Sequence, residues 1–168
     1  MKKTIYSLLV LCAACFAFTS CGDDDDNNLG THSEQPGAAS AGIYTGTWTE
    51  YNSKGEPTKN VDLPGTVEII NSGAYTATLR TACTPAIWLL DGEQQVNCVW
   101  ANDIVKYANN ILNGTFGSDA PNSNIILQSS TVDGTCDNGV MTLNIQRGYK
   151  QGRPTYTYIY KFTGKKQN

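Results

Sequence analysis

The sequence predicts an all-β domain, either an antiparallel β-barrel or a strongly bent β-sandwich, carrying one short helix. Three observations carry this expectation. Period-2 alternation of β-branched and aromatic residues recurs from Gly42 almost to the C-terminus. Short clusters of Gly, Asn, Asp and Pro separate these runs. Only 16% of the 168 residues are charged, beside 16 glycines and 9 tyrosines, which suits a polar sheet better than a helical bundle. This length holds one domain with a sizeable core and not two full ones.

The first strand starts near Gly42, where Ile43, Thr45, Thr47 and Thr49 alternate with Tyr44, Gly46, Trp48 and Glu50. Residues 52–57 (Asn-Ser-Lys-Gly-Glu-Pro) read as a turn, and Leu63-Pro64-Gly65 as another. Strands follow over 66–70 and 75–81, split by the hairpin signal Asn71-Ser72-Gly73. Trp88 to Leu90 and Val96 to Trp100 then flank the turn residues Asp91-Gly92-Glu93. One segment departs from alternation. Ile104, Tyr107, Ala108, Ile111 and Leu112 fall at i, i+3, i+4, i+7 and i+8, which predicts a helix over 103–112. Asn102 or Asp103 would cap its start and Gly114 its end. After a loop over 117–124, strands return at 125–132, 140–147 and 155–163. In the last, Tyr156, Tyr158 and Tyr160 share one face.

The N-terminus reads as a processing signal. Lys2 and Lys3 precede an apolar run from Ile5 to Phe18, the pattern of a secretory signal peptide. As helix the run would rise only ~21 Å, short of the ~30 Å hydrocarbon core of a bilayer. It ends in Phe18-Thr19-Ser20-Cys21, followed by Gly22 and the acidic run Asp23, Asp24, Asp25 and Asp26. This arrangement resembles the lipobox and surface-export signal of Bacteroidota lipoproteins. The resemblance implies a signal peptide over 1–20 and lipidation of Cys21 by diacylglycerol and palmitate. It also implies that Asp23 to Asp26 direct the protein to the outer face of the outer membrane. The membrane partner would be engaged through the lipid anchor alone. Residues 21–41 hold one large aliphatic side chain, Leu29, too little apolar surface to offset their ordering entropy. They are expected to form a flexible tether, with the β domain spanning 42–168. Within that domain, Gly46-Thr47-Trp48 in the first strand is similar to the Gly-x-Trp of lipocalin and calycin-like families, which implies a calycin-like barrel.

Several function classes are disfavoured by residue type. From Ala41 onward, ten basic and ten acidic side chains balance, so the domain offers no electrostatic draw to nucleic acid or anionic lipid. The one histidine, His32, precedes the predicted domain, which removes His-based nucleophilic triads and His metal clusters there. The domain's carboxylates mostly neighbour turn residues, where Asp supports the local backbone. No catalytic set, metal site or cofactor is expected. Cys83, Cys98 and Cys136 remain in the domain; an odd number allows one intramolecular disulfide, with Cys83–Cys98 preferred over pairings that use Cys136. Aromatics are the strongest binding candidates. Trp88 and Trp100 could line a site, while Trp48 and the tyrosine stripe suit the core. The expectation is a surface-anchored, non-catalytic lipoprotein that binds a small apolar molecule or glycan. The alternative is a protein-interaction module, such as a protease inhibitor or assembly subunit, presenting the 117–124 loop to an unknown partner.

Overall fold

A computed structural model describes residues 32–109, 114–116 and 124–168. The expected signal peptide, Cys21, the run Asp23 to Asp26 and nearly all of the 117–124 loop lie outside the described residues. Among the described residues, one helical turn and nine strands follow in order: α1 (Pro36–Ala39), β1 (Gly42–Asn52), β2 (Leu63–Gly73), β3 (Thr76–Cys83), β4 (Gly92–Ala101), β5 (Ile104–Asn109), β6 (Gly114–Phe116), β7 (Ile125–Asp137), β8 (Val140–Gln151) and β9 (Thr155–Lys166).

Every strand pairing is antiparallel. The order β3-β2-β1-β9-β8-β7-β5-β4 is closed by a further β3–β4 pairing, giving an eight-stranded barrel, with three-residue β6 added beside the start of β4. Closure leaves those eight strands without a free edge. Alternation sets the inner face: Tyr44 and Trp48 of β1, Val67 and Ile69 of β2, Leu79 of β3, Leu143 and Ile145 of β8, and Phe162 of β9 are all buried. The lower barrel is therefore filled with side chains rather than hollow.

The Gly-x-Trp segment has a steric role. Gly46 pairs with Gly164 across β1 and β9, and a Cβ on Gly46 would overlap the Thr163 carbonyl. A Cβ on Gly164 would strike the Phe162 ring. Two residues on, Trp48 packs against Phe162, with ring centroids 4.8 Å apart. The paired glycines let the two strands and the two rings approach.

The helix expected over 103–112 does not form where the chain is described; Ile104–Asn109 is strand β5, and residues 110–112 lie outside the described residues. Val105 and Tyr107 point inward and are buried, while Lys106 and Ala108 are exposed. Asn102 and Asp103 form the two-residue turn of a β4–β5 hairpin, Asn102 at φ 56°. The same Asn-Asp pair that caps helices also makes tight turns, and β pairing on both sides decides the outcome.

Smaller differences follow the same logic. Leu63-Pro64-Gly65 opens β2 instead of forming a turn, because a proline near a strand's start forfeits little ladder bonding. Gly92 and Glu93 likewise begin β4. Asn71 to Gly73 form a bulge at the end of β2, and the hairpin turns at residues 74–75. Trp88 to Leu90 form a turn rather than a strand; the Leu90 and Asp91 amides both donate to the Ile87 carbonyl. The β7–β8 hairpin turns on Asn138-Gly139, both at positive φ, as a two-residue turn of this hand requires.

Order also begins earlier than expected. Residues 32–41, assigned to the flexible tether, run against the barrel, with Pro36, Gly37 and Ser40 buried. Tyr44 donates from its hydroxyl to the Ser40 carbonyl at 2.7 Å. This segment covers one end of the barrel, the entry end. At the far end stand the β1–β2 connection, the 84–91 connection and the 152–154 turn.

Candidate functional site

Toward the far end the inner wall changes character. The inward parity that places apolar residues lower down delivers Glu50 on β1, Thr81 on β3, Gln94 on β4, Ser130 on β7 and Arg147 on β8, all buried. Above them, the inner faces of β8 and β9 carry Tyr149, Tyr156 and Tyr158. A cavity of about 380 Å³ opens here, lined by the aromatics Trp88, Tyr149, Tyr158 and Tyr160, by Glu50, Lys59 and Asn60, and by Pro85, Ala86, Ile87 and Leu89 of the 84–91 connection. That volume sits at the small end of the ~300–1,000 Å³ usual for ligand sites.

The aromatic wall is continuous. Tyr149 stacks on Tyr156 at 5.0 Å and lies parallel to Tyr158 at 6.3 Å, and the Trp88 ring meets Tyr149 edge-on at 5.3 Å. Burial, with the charge of Tyr158 next, raises the Tyr149 pKa, so its hydroxyl stays protonated.

The polar side is held by the β1–β2 connection. Thr58 donates from its hydroxyl to Glu50 Oε1 at 2.7 Å, and Asn60 Nδ2 donates to the same oxygen at 3.1 Å. Glu50 Oε2 receives neither bond. Glu50 is 8% exposed, so this carboxylate is nearly withdrawn from water. Beside it, Tyr160 is fully buried and its hydroxyl has no hydrogen-bond partner. Burial first, and the Glu50 charge second, hold that hydroxyl well above its usual pKa.

Arg147 sits beneath, 2% exposed, and donates from Nε to the Leu89 carbonyl at 3.2 Å. Burial pulls its guanidinium down to about 9, which still leaves it charged at neutral pH. Its bond to Leu89 ties the 84–91 connection, and with it Trp88, to the barrel wall. Thr81 adds a second tie, donating from its hydroxyl to the Leu90 carbonyl at 2.5 Å.

The candidate residues do not gather in one place. Trp88 is at the cavity. Trp100 is at the entry end, where His32 stacks flat on it at 3.7 Å and its indole N–H donates to the Glu34 carbonyl at 2.9 Å. The chain's own N-terminal segment lies on this Trp100 ring and holds it at the entry end, away from the cavity that Trp88 lines. Cys83, Cys98 and Cys136 are all buried free thiols, and the expected Cys83–Cys98 disulfide is not formed. Cys83 shares a hydrogen bond with the Pro85 carbonyl, while Cys136 is 3.2 Å from the Tyr44 hydroxyl near the opposite end. Spacing in sequence did not reveal that separation in space.

Glu50 and Arg147 were missed as site residues. Both carry a legible signal, a charged side chain at the parity of a buried face: Met141, Leu143 and Ile145 precede Arg147 on one face, and Tyr44 and Trp48 precede Glu50. Among the described residues no group of three or more His, Cys, Asp or Glu is placed to hold a metal ion. A second hollow of about 470 Å³ lies on the outer wall beside Gly134, lined by exposed Val99, Lys106 and Asp133. It lacks both a stacked aromatic wall and a buried polar group reaching into it.

No protein-family model matches the chain, and no curated protein matches it. Solved structures do. A Bacteroides fragilis protein named as a candidate outer membrane protein is similar at a TM-score of 0.54 and 21% identity, over 78% of this chain and 52% of that one. The chain thus spans about half the length of that relative. A redesigned β-barrel is similar at a TM-score of 0.42 and 13% identity, over 82% of this chain and 100% of that one. EF1p2_mFAP2b bound to DFHBI gives 0.42 and 14%, over 80% and 100%. The first likeness shows a shared barrel fold.

Proposed function

We propose that the protein is a surface-anchored, non-catalytic lipoprotein whose barrel holds a small ligand, an apolar molecule or a glycan, in its far-end cavity. One observation carries this reading. The filled barrel opens toward its far end into a hollow lined by a stacked aromatic wall and by two buried polar groups, the Glu50 carboxylate and the Tyr160 hydroxyl. Proteins keep buried polar groups satisfied, and a bound ligand would supply a partner to the buried Tyr160 hydroxyl.

The address follows from Cys21 and the acidic run behind it, and a fold shared with a protein named for the outer membrane is in keeping with it. Membrane attachment through acyl chains contributes roughly 0.8 kcal/mol per buried CH₂. The chain enters the barrel at the end opposite the cavity, so a lipid on Cys21 would turn the mouth away from the membrane.

Tryptophan fluorescence tests the binding. Trp48 is in the core and Trp100 lies under His32, so the response to a cavity ligand comes from Trp88. A library of apolar molecules and glycans should yield a saturable signal that Trp88→Phe abolishes. A signal that survives Trp88→Phe would place the binding elsewhere. For the anchor, fatty-acid labelling should be lost in Cys21→Ala, and continued labelling would refute that assignment.

A further inference from the structure

We infer that the cavity selects a neutral, hydroxyl-rich ring, a single sugar residue or the terminal sugar of a glycan, over an apolar molecule or an ion. The inference rests on the ligand-binding reading above and chooses within it.

The choice comes from what the buried polar groups require. Glu50 can only accept, and both of its side-chain bonds fall on Oε1. Tyr160 offers a hydroxyl that is fully buried and without a partner. Lys59 and Asn60 add N–H donors at the same wall. A ligand facing this set must donate to a carboxylate and accept from neighbouring donors within one ring's width. Hydroxyl groups do both. An apolar occupant would seal the carboxylate and the phenol away from water with nothing in exchange, which is costly.

Charge argues against an ion. A cation would meet Glu50, but also Lys59 at the wall and the charge of the buried Arg147 guanidinium, which acts on Tyr160. An anion would meet the Glu50 carboxylate in a nearly dry setting. The aromatic wall supplies the rest, since the flat faces of Tyr149, Tyr158 and Trp88 suit the C–H face of a pyranose. Deeper in, the barrel is filled, with Trp48 and Phe162 buried against each other, so a chain end enters and a continuous polymer cannot thread through.

The test uses the full chain in detergent micelles, with empty micelles as the blank. Trp88 fluorescence is followed against the methyl glycosides of glucose, galactose, mannose and N-acetylglucosamine, and against toluene, tetramethylammonium and inorganic phosphate. At least one glycoside should saturate the response, weakened tenfold or more by Glu50→Gln and several-fold by Tyr160→Phe. The Tm of Tyr160→Phe is recorded beside its affinity: affinity lost with the Tm held marks a ligand contact, and a Tm that falls with the affinity marks a structural role and counts against the inference. Binding of toluene, tetramethylammonium or phosphate but of no glycoside would overturn this inference and leave the binding cavity standing. No response to any probe would remove both.

Discussion

Tyr149 and Tyr156 are direct cross-strand partners on β8 and β9, and their rings stack at 5.0 Å with planes 19° apart. The pair joins the cavity's wall to its rim, because Tyr149 also meets Trp88 and Tyr158 while Tyr156 is exposed. Such pairs contribute about 0.5–1.5 kcal/mol beyond the area they bury. With the area term added, Tyr149→Ala should cost about 2 kcal/mol in urea unfolding, yet weaken any cavity ligand tenfold or more. Equal affinity in the variant would mean that the wall is packing only.

Trp48 and the Gly46–Gly164 pair predict a much larger stability effect. Trp48→Ala empties the middle of the barrel, and such truncations cost about 3–5 kcal/mol. Gly46→Val forces a side chain into the Thr163 carbonyl and should prevent the β1–β9 seam from closing. Chemical denaturation of both variants checks this. A Trp48→Ala loss below about 1 kcal/mol would contradict the packed core.

Thiol chemistry and alkaline stability are linked through Cys83. Burial, and next the charge of Asp91, push its thiol up to about 12. A group raised in the folded state holds its proton more tightly there than in the unfolded chain. Its stabilising effect is complete below the unfolded value near 9 and declines as pH rises toward 12. Tyr44, Tyr107 and Tyr160 are raised mainly by burial and act in the same direction above their unfolded value of 10. Arg147, lowered to about 9, opposes them. Four groups outweigh one, so Tm should fall between pH 9 and pH 11, as differential scanning calorimetry would record. In the native protein at pH 8, iodoacetamide should leave Cys83, Cys98 and Cys136 unmodified, and all three should react after unfolding without reductant. A flat Tm profile, or a thiol that appears only on reduction, would refute this.

The clamp at the entry end should be separable from binding. Trp100→Ala removes the His32 stack and the bond to the Glu34 carbonyl. Losing one exposed stack and one hydrogen bond lowers stability by about 1–2 kcal/mol. Ligand affinity at the opposite end should stay within twofold. A tenfold loss would show that the two ends communicate.

The barrel was legible because its signals are local. Alternation in Gly42–Glu50 and the parity of Tyr156, Tyr158 and Tyr160 follow from the two-residue period of a strand. The helix expected over 103–112 failed for a physical reason. Ile104, Tyr107 and Ala108 satisfy a helical spacing, but Val105 and Tyr107 also satisfy alternation, and pairing with β4 and β7 decides between them. The cavity was half legible. Sequence parity assigned the tyrosine stripe to the core, whereas Tyr158 and Tyr160 line the hollow together with Tyr149 and Trp88. Trp100 was not separable from Trp88, because nothing in the sequence states that β4 runs from the far end, where the 84–91 connection holds Trp88, to the entry end, where it places Trp100. Glu50 reads as one more carboxylate until the β1–β2 connection folds Thr58 and Asn60 onto it.

The most direct test of the central claim is where a bound ligand is felt. Amide and indole NMR shifts should be recorded for ¹⁵N-labelled protein with and without the glycoside or apolar molecule that gives the strongest Trp88 response. The account predicts perturbations confined to the Trp88 indole, the 85–89 segment, Glu50, Lys59, Asn60, Tyr149, Tyr158 and Tyr160. Shifts centred on Trp100 and His32, or on Val99, Lys106 and Thr135 of the outer wall, would contradict it.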